Sequence, residues 1–148
     1  MIRQMTVDDV PAALMIEYEL FPEDAWSEAM LLSELAEQPR TRHYVVVLAD
    51  GEIVGYGGLA AAADQADVQT IGVRTAFQGR GLGAALLTEL LDEAVRRLCT
   101  AVFLEVRADN PKAQKMYEKF GFDVVGVRKR YYQPSGVDAI VMRLELKR

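Results

Sequence analysis

The stretch Val68–Leu87 reads VQTIGVRTAFQGRGLGAALL and joins a strand, a glycine-rich loop and a helix. Apolar and polar residues alternate at its start, as in a half-buried strand, and a helical apolar pattern follows the loop. The glycines Gly79, Gly81 and Gly83 permit positive φ angles and a close approach of the backbone to a ligand. Because the following helix points unsatisfied N–H groups and its positive dipole end into the same space, this junction predicts an anion site.

Two familiar phosphate-binding loops do not account for this junction. A P-loop places a Lys-Ser/Thr pair after its last glycine, where this chain has Ala84 and Ala85. The dinucleotide-binding fingerprint tolerates Ala84 at its third glycine position, but it requires an opening βαβ unit that the β-rich first half lacks. The loop therefore predicts an anion site of another kind.

The length and composition indicate one globular domain. The chain has 148 residues, of which 51% are hydrophobic and 26% charged, so residues 1–148 are expected to form a single domain with its own core. No apolar run reaches membrane length, and the N-terminal sequence lacks the apolar region of a signal peptide. We expect a cytoplasmic protein with no membrane partner. The expected state is a monomer, although the sequence leaves the oligomeric state open.

The charge balance and the rare residue types exclude several classes of function. A net charge of −5 argues against general nucleic-acid binding but suits a basic peptide or amine substrate. An anionic ligand would then be held locally, by the loop amides and by Arg74 or Arg80. The single cysteine, Cys99, and the single histidine, His43, offer no disulfide and no metal cluster. We expect Cys99 to be buried, His43 to be structural or solvent-facing, and no metal to be bound.

Two helices are predicted before the first strand. Thr6 is a good N-cap for the first helix, and Val10, Leu14 and Tyr18 fall on one apolar face. Ser27 is predicted to cap the second helix.

The rest of the chain predicts a mixed sheet. Tyr44–Leu59 predicts a hairpin around Asp50-Gly51 with a bulge or close approach at Gly57-Gly58, and a β-meander then leads into the strand before the loop. Ala101–Arg107 follows the helix after the loop as a central strand, so strand, helix and strand imply a parallel pair. The predicted closing strands are Phe122–Val127 and Ala139–Leu146.

Glu105 is the charge that most needs a partner, because it lies in the otherwise apolar strand sequence AVFLEVR. A carboxylate there is costly to bury unless it is paired or faces a cavity. One interpretation is an ion pair with Arg107, two residues on along the same face. The other is a general base, because a carboxylate in a semi-apolar cleft has a raised pKa and can accept a proton, directly or through water.

The segment NPKAQKMYEKFGF, residues 110–122, predicts a short helix. Asn110 is a good N-cap, Pro111 suits the first helical position, and Gly121 ends the helix. Tyr117 lies on the apolar stripe, where core packing explains it as well as it would explain phenylalanine. Its hydroxyl would in addition supply a proton donor for a departing group.

The loop spacing Gln78-x-x-Gly81-x-Gly83 and the helix pattern Asn-x-x-Ala-x-x-Met-Tyr-x-x-x-Gly-Phe together resemble the GNAT family of N-acetyltransferases. This resemblance implies the α/β acyl-CoA N-acyltransferase fold, a mixed sheet with an N-terminal antiparallel meander, two splayed parallel central strands and flanking helices. It also implies acetyl-CoA as the cosubstrate, with its acyl arm between the parallel strands, and no metal. The implied cofactor-binding residues are Ile71, Gly72, Val73, Gln78, Gly79, Arg80, Gly81, Leu82, Gly83, Ala84 and Asn110.

The same resemblance assigns the chemistry. It implies that Glu105 is the general base and that Tyr117 is the general acid for the departing coenzyme A thiolate. Asp67 is a rival base, because other branches of the family place an acid near this position, but it is shorter and lies beside a turn. We expect direct attack of an amine on acetyl-CoA, since the sequence shows no activated nucleophile.

Further segments resemble one bacterial branch of the family, whose members acetylate the N-terminal alanine of a small-subunit ribosomal protein. These segments are Phe21-Pro22, Ala25–Ser27, Leu104–Asn110, Arg130–Tyr132 and Gly136–Ile140. The implied substrate is the N-terminus of a ribosomal or other protein, contacted by Tyr131 and Tyr132. Trp26 is either the facing wall of the substrate site or a hydrophobic staple of the second helix.

Two other functions are weighed against this one. A related acetyltransferase could act on a lysine side chain or a small-molecule amine, but a loop with paired tyrosines would narrow the site. A non-catalytic domain could bind coenzyme A as a sensor, but such a domain does not need both Glu105 and Tyr117.

Overall fold

The structure is a computed structural model that describes residues 1–146. Its strands are β1 (Ile2–Gln4), β2 (Arg42–Ala49), β3 (Glu52–Ala62), β4 (Gln65–Val73), β5 (Ala101–Arg107), β6 (Asp123–Arg128) and β7 (Ala139–Glu145). Its α-helices are α1 (Val10–Leu20), α2 (Glu28–Leu35), α3 (Leu82–Arg96) and α4 (Pro111–Lys119). Short 3₁₀ turns at Val7–Asp9 and Thr75–Phe77 precede α1 and the glycine loop.

The strands form one mixed sheet in the order β1-β2-β3-β4-β5-β7-β6. Neighbouring strands are antiparallel except β4 and β5, which are parallel. Their pairing joins Gln65–Val68 to Ala101–Leu104 and goes no further. Beyond that point, Gln69–Val73 and Glu105–Arg107 diverge, although β5 keeps its pairing with β7 along its whole length. The predicted fold, with its splayed central strands, is confirmed.

Helices cover both faces of the sheet, because side chains alternate along each strand. Along β2, Val45 and Val47 pack in the core beneath α3, while Tyr44 and Val46 pack in a second core beneath α1 and α2. Cys99 is buried in the first of these cores, as predicted.

Local signals in the sequence placed the Asp50-Gly51 turn and the starts of α2 and α4 correctly, whereas Thr6, predicted to cap the first helix, caps the 3₁₀ turn before α1, whose own N-cap is Asp9. Asp50 and Gly51 have φ angles of 53° and 80°, as a two-residue hairpin turn requires. The Ser27 hydroxyl accepts a hydrogen bond from the Met30 N–H at 3.1 Å and caps α2. Asn110 caps α4 in the same way, through the Ala113 N–H at 3.2 Å.

Two predictions about the N-terminal region are wrong. A strand, β1, precedes both helices and pairs with β2, but at three residues it is too short to show a period. On α1, Tyr18 is 68% exposed, whereas Ile16 and Glu17 are buried. Apolar residues occur all around this helix, so the sequence did not reveal which stripe faces the sheet.

Gly58 gives a direct test of the sheet packing. A Cβ atom at this position would lie 2.2 Å from the Tyr44 ring, which is fully buried. We expect Gly58→Ala to lower the free energy of unfolding by about 1–3 kcal/mol, because a methyl group inserted into a packed core forces neighbours aside. Urea denaturation measures this change. Gly126→Ala is the matched control in β6, where a Cβ atom meets nothing within 4 Å, and an equal loss in both variants would contradict the packing.

Candidate active site

The divergence of β4 and β5 opens the sheet into two connected spaces. One, which we call the inner pocket, lies between the strands and is lined by residues that include Glu17, Asp24, Trp26, Glu105, Tyr117 and Tyr132. The other, which we call the loop groove, has a volume of about 660 Å³ and runs along the glycine loop and α4. Five residues line both spaces and so form the passage from one to the other: Phe21, Ile71, Asn110, Ala113 and Tyr117.

The glycine loop has the backbone geometry that the sequence predicts. Gly79 and Gly81 have φ angles of 81° and 80°, which favour glycine, and α3 begins at Leu82. Its first N–H groups therefore point towards the loop groove. Except for Arg80, every residue implied to bind the cofactor lines this groove.

Arg80 and Arg74 make other contacts. The Arg80 guanidinium lies 5.0 Å from the centroid of the Phe77 ring, outside the groove lining. Arg74 pairs with Glu19 at 3.5 Å. The positive charge along the groove comes instead from Lys112, Lys115 and Lys119 of α4.

The sequence reasoning missed these lysines, although their spacing carried a signal. Residues three and four apart lie on one face of a helix, so Lys112, Lys115 and Lys119 project from the same side of α4. Opposite the amides at the start of α3, they form a cationic wall that suits a pyrophosphate.

The edge of β4 that faces the gap is the second element that suits acetyl-CoA. Residues 69–73 have no strand partner on the β5 side, so main-chain groups there can bond an extended arm as a further strand would. At the end of this edge the Gln78 side-chain amide donates to the Val73 carbonyl at 3.0 Å. Gln78 therefore ties the loop to β4 as well as lining the groove.

Glu105 lies on the wall of the inner pocket, where β5 turns away from β4. Its side chain is 23% exposed, and Arg128 approaches its Oε1 at 3.4 Å. Burial raises the pKa of Glu105, the Arg128 guanidinium lowers it, and the nearby Asp67 carboxylate raises it again, with a net upward shift. Asp67 itself is exposed and does not line the inner pocket.

Arg107 is not the partner of Glu105, so the ion-pair interpretation of these two residues is wrong. The Arg107 guanidinium reaches past the end of β5, binds Asp24 in the α1–α2 loop and pairs with Asp109 at 3.0 Å. The loop that carries Asp24 is far away in the sequence. The pattern of residues along one strand therefore cannot reveal that Asp24 competes with Glu105 for Arg107.

Tyr117 places a hydroxyl-bearing side chain at the passage between the two spaces. It is 7% exposed, and its ring packs edge-on against Phe122 with centroids 5.8 Å apart. Burial raises the pKa of Tyr117 to about 12. The hydroxyl is therefore protonated at neutral pH and can donate to an anion that forms nearby.

Two loops meet at Asp24, which lines the inner pocket, and we call this junction the roof. Asp24 accepts hydrogen bonds from the Ser135 N–H at 3.1 Å and from the Ser135 hydroxyl at 2.5 Å, which joins the α1–α2 and β6–β7 loops. In the same β6–β7 loop, the Tyr132 hydroxyl donates to the Glu105 carbonyl at 3.3 Å. Trp26 also lines the pocket.

Tyr131 stands apart from this lining. Its side chain is 48% exposed, and its ring contacts Tyr132 edge-on at 5.1 Å. It therefore supports Tyr132 from outside the inner pocket.

Glu17 is a further carboxylate of the inner pocket, which the sequence reasoning missed. It belongs to α1, is 3% exposed and accepts a hydrogen bond from the Tyr56 hydroxyl at 2.5 Å. The Thr70 hydroxyl donates to it at 3.2 Å. The available signal was an acidic residue within the apolar run LMIEYEL. It was missed because the sequence predicted the wrong buried face of this helix.

A cluster on the far side of the sheet has metal-ligating residue types. His43, Glu89 and Glu93 bring possible ligand atoms within 4.8 Å of one another. Arg96 bonds both carboxylates, at 3.0 and 2.8 Å, and Arg97 bonds Glu93 at 2.7 Å. These guanidinium groups already supply the positive charge that a cation would bring, so the cluster is an ion-pair network that anchors His43.

The comparisons with known proteins agree with this geometry. The sequence model described as the acetyltransferase (GNAT) family matches residues 11–122. The chain belongs to the GNAT acetyltransferase family. Acetyl-CoA is the cosubstrate in this family, and the loop groove with its amides and lysines fits that ligand. No helix within residues 1–146 is long and apolar enough to cross a bilayer.

Relatives within the family align with nearly the whole chain. The N-alpha-acetyltransferase RimI of Mycobacterium tuberculosis is 42% identical over 147 residues, which cover 96% of this chain and 90% of that protein. The ribosomal protein bS18-alanine N-acetyltransferase of Escherichia coli is 34% identical, with 98% of this chain and 97% of that protein covered.

Solved structures confirm the fold. The ribosomal-protein-S18-alanine N-acetyltransferase from Escherichia coli superposes with a TM-score of 0.87 at 32% identity, covering 100% of this chain and 94% of that one. Ard1 from Thermoplasma volcanium superposes with a TM-score of 0.90 at 26% identity, covering 100% of this chain and 98% of that one.

Arg128 allows the role of Glu105 to be tested through pH. The Arg128 guanidinium opposes the upward pKa shift that burial and Asp67 impose on Glu105. A base works only above its pKa, so kcat/KM falls as the pH drops through that value. We expect Arg128→Gln to raise the pKa of Glu105 further and to move this acid limb to higher pH. The measurement is a pH profile of kcat/KM.

The control for this profile is Lys129→Gln, which removes an equal charge from a side chain that pairs with Asp138. An acid limb that stays in place in Arg128→Gln, or that moves by the same amount in both variants, would contradict the role given to Glu105.

Proposed function

We propose that this protein transfers the acetyl group of acetyl-CoA to the α-amino group of an N-terminal alanine in a ribosomal protein, bS18. The observation that carries the proposal is the roof of the inner pocket, where Asp24 joins two loops, one of which also holds Tyr132 against the Glu105 carbonyl. The Escherichia coli relative is named for this reaction, and the Mycobacterium tuberculosis relative is named as an N-alpha-acetyltransferase, which supports transfer to an α-amino group. The place of the reaction would be the cytoplasm.

The roof favours the end of a chain over its middle. A peptide that presents an internal lysine continues in both directions from that residue, and in this proposal the Asp24–Ser135 junction, which ties two loops together at the pocket, leaves room for one direction only. A free N-terminus leaves in one direction only. The acidic chain, with a net charge of −5, also suits a basic peptide.

Glu105 supplies the base in the proposed reaction. The α-amino group of a peptide has a pKa of about 8, so most of it is protonated at neutral pH. Because the pKa of Glu105 is raised, its carboxylate is a better proton acceptor than an exposed glutamate. It takes one proton from the ammonium, directly or through a water, and leaves a neutral amine.

Tyr117 supplies the acid. Acetyl-CoA brings the activated acetyl group, and the amine nitrogen bonds to its carbonyl carbon as the carbon–sulfur bond breaks. The Tyr117 hydroxyl lies at the passage where the sulfur would leave, and it is protonated because its pKa is about 12. It donates its proton to the thiolate sulfur, and the proton that the newly acylated nitrogen loses replaces it on Tyr117, directly or through a water, so no charged leaving group has to cross the apolar passage.

Two other functions fit the site less well. An enzyme for small amines would not need the roof that Asp24 and Ser135 build. A sensor of coenzyme A would not need Glu105 and Tyr117 to line one pocket.

Thiol release from acetyl-CoA tests the proposal with two peptides of the same basic sequence. One has a free N-terminal alanine, and the other is blocked there but carries a lysine. We expect release only with the free alanine, because the roof admits a chain end. Glu105→Gln is the background control and should lower kcat about 100-fold or more while acetyl-CoA affinity stays unchanged. Release with the lysine peptide, or with neither peptide, would contradict the proposed substrate.

A further inference from the structure

Glu17 is a buried carboxylate that the roles of Glu105 and Tyr117 leave unexplained. It reaches the inner pocket from α1, whereas Glu105 reaches it from β5, across the gap between the central strands. With 3% of its surface exposed, Glu17 is one of the most deeply buried charged residues of the described chain. Burying such a group costs free energy unless something in the pocket compensates it.

The hydrogen bonds of Glu17 leave part of its acceptor capacity open. Tyr56 and Thr70 both donate to the same atom, Oε1. The main-chain N–H of Trp26 is a third donor to the carboxylate. Burial raises the pKa of Glu17, while these three donors lower it, with a net upward shift. An ionised carboxylate has about four acceptor sites, so three donors leave one for a donor that enters the pocket.

The pocket also lacks a fixed cation for this carboxylate. Of the described residues that line it, the acids are Glu17, Asp24 and Glu105, and the one cation is Arg107. Arg107 is already bound to Asp24 and to Asp109. The pocket therefore holds more negative than positive charge, and a cationic ligand would correct this balance.

We propose that Glu17 binds the α-ammonium group of the incoming peptide through its remaining acceptor site, on the wall opposite Glu105. The inference rests on the proposed function and adds to it the group that recognises the amine. Glu17 holds one N–H of the amine while Glu105 removes a proton, which keeps the nitrogen aimed at the passage beside Tyr117. Glu17 is a binding residue in this account, and the base remains Glu105.

Peptide binding to the complex with coenzyme A, in which no transfer can occur, tests this role directly. The two probes are the free alanine peptide and a matched peptide whose α-amino group is replaced by a hydroxyl, titrated near pH 6 so that the amine is charged. We expect the native enzyme to bind the amino peptide about 10- to 100-fold more tightly, as a charged hydrogen bond predicts. Glu17→Gln should lose most of this discrimination, the remainder being due to Glu105, and should raise the KM of the alanine peptide.

Three variants separate amine binding from a structural role. Tyr56→Phe removes a hydroxyl from Oε1 and keeps the carboxylate, so it should keep the discrimination between the probes. Glu37→Gln removes an equal charge from a pair with Arg40 outside the pocket and should also keep it. Should Glu17→Gln not fold, Glu17→Asp withdraws the carboxylate by one methylene and should weaken binding of the amino peptide alone.

The outcomes are distinct. Unchanged discrimination in the Glu17 variants, with an active native enzyme, would overturn the role of Glu17 and leave the proposed function intact. An equal loss of discrimination in Tyr56→Phe would mean that Glu17 only holds the pocket together, and would also overturn the inference. A native enzyme that releases no thiol with the alanine peptide would instead overturn the proposed function, and the inference with it.

Discussion

The structure depends on the point where β4 and β5 stop pairing. After Val68 and Leu104 the two parallel strands separate, and the main chain of β4 loses its neighbour on one side. Buried N–H and C=O groups need partners, so an edge exposed inside a fold is a binding surface for an extended ligand. The glycine loop, α3 and α4 converge on this gap. The end of pairing between β4 and β5 therefore determines the positions of both the cofactor site and the substrate site.

Buried charge on either side of the gap gives the site its chemistry. Asp24 forms an ion pair with Arg107 and accepts a hydrogen bond from Ser135, which forms the roof. Glu105 has only a loose contact with Arg128, and the partners of Glu17 are neutral: the Tyr56 and Thr70 hydroxyls and the Trp26 N–H. Carboxylates that lack a close cation have raised pKa values, and that property suits the deprotonation and binding of an amine.

Local chemistry made much of this predictable from sequence. The Asp50-Gly51 turn, the Ser27 and Asn110 caps and the glycine loop depend on neighbours within a few residues, and each lies where the sequence predicted it. The Glu105 and Tyr117 positions followed from family resemblance, and the fold does bring them to one pocket.

What the sequence did not reveal depends on contacts between distant segments. Arg107 forms an ion pair with Asp24, in a loop distant in the sequence, and not with Glu105 on its own strand. Glu17 meets Tyr56 and Thr70 only after α1 packs on the sheet, and the helix has no clear apolar stripe to fix its orientation.

Residue-resolved amide hydrogen exchange, with and without acetyl-CoA, tests the central claim most directly. If the unpaired edge of β4 holds the acyl arm, residues 69–73 should exchange more slowly when the cosubstrate binds, together with the amides that open α3. Protection of the glycine loop without any change along residues 69–73 would contradict the account. The cosubstrate would then be bound at the groove while the gap between the strands played no part in holding it.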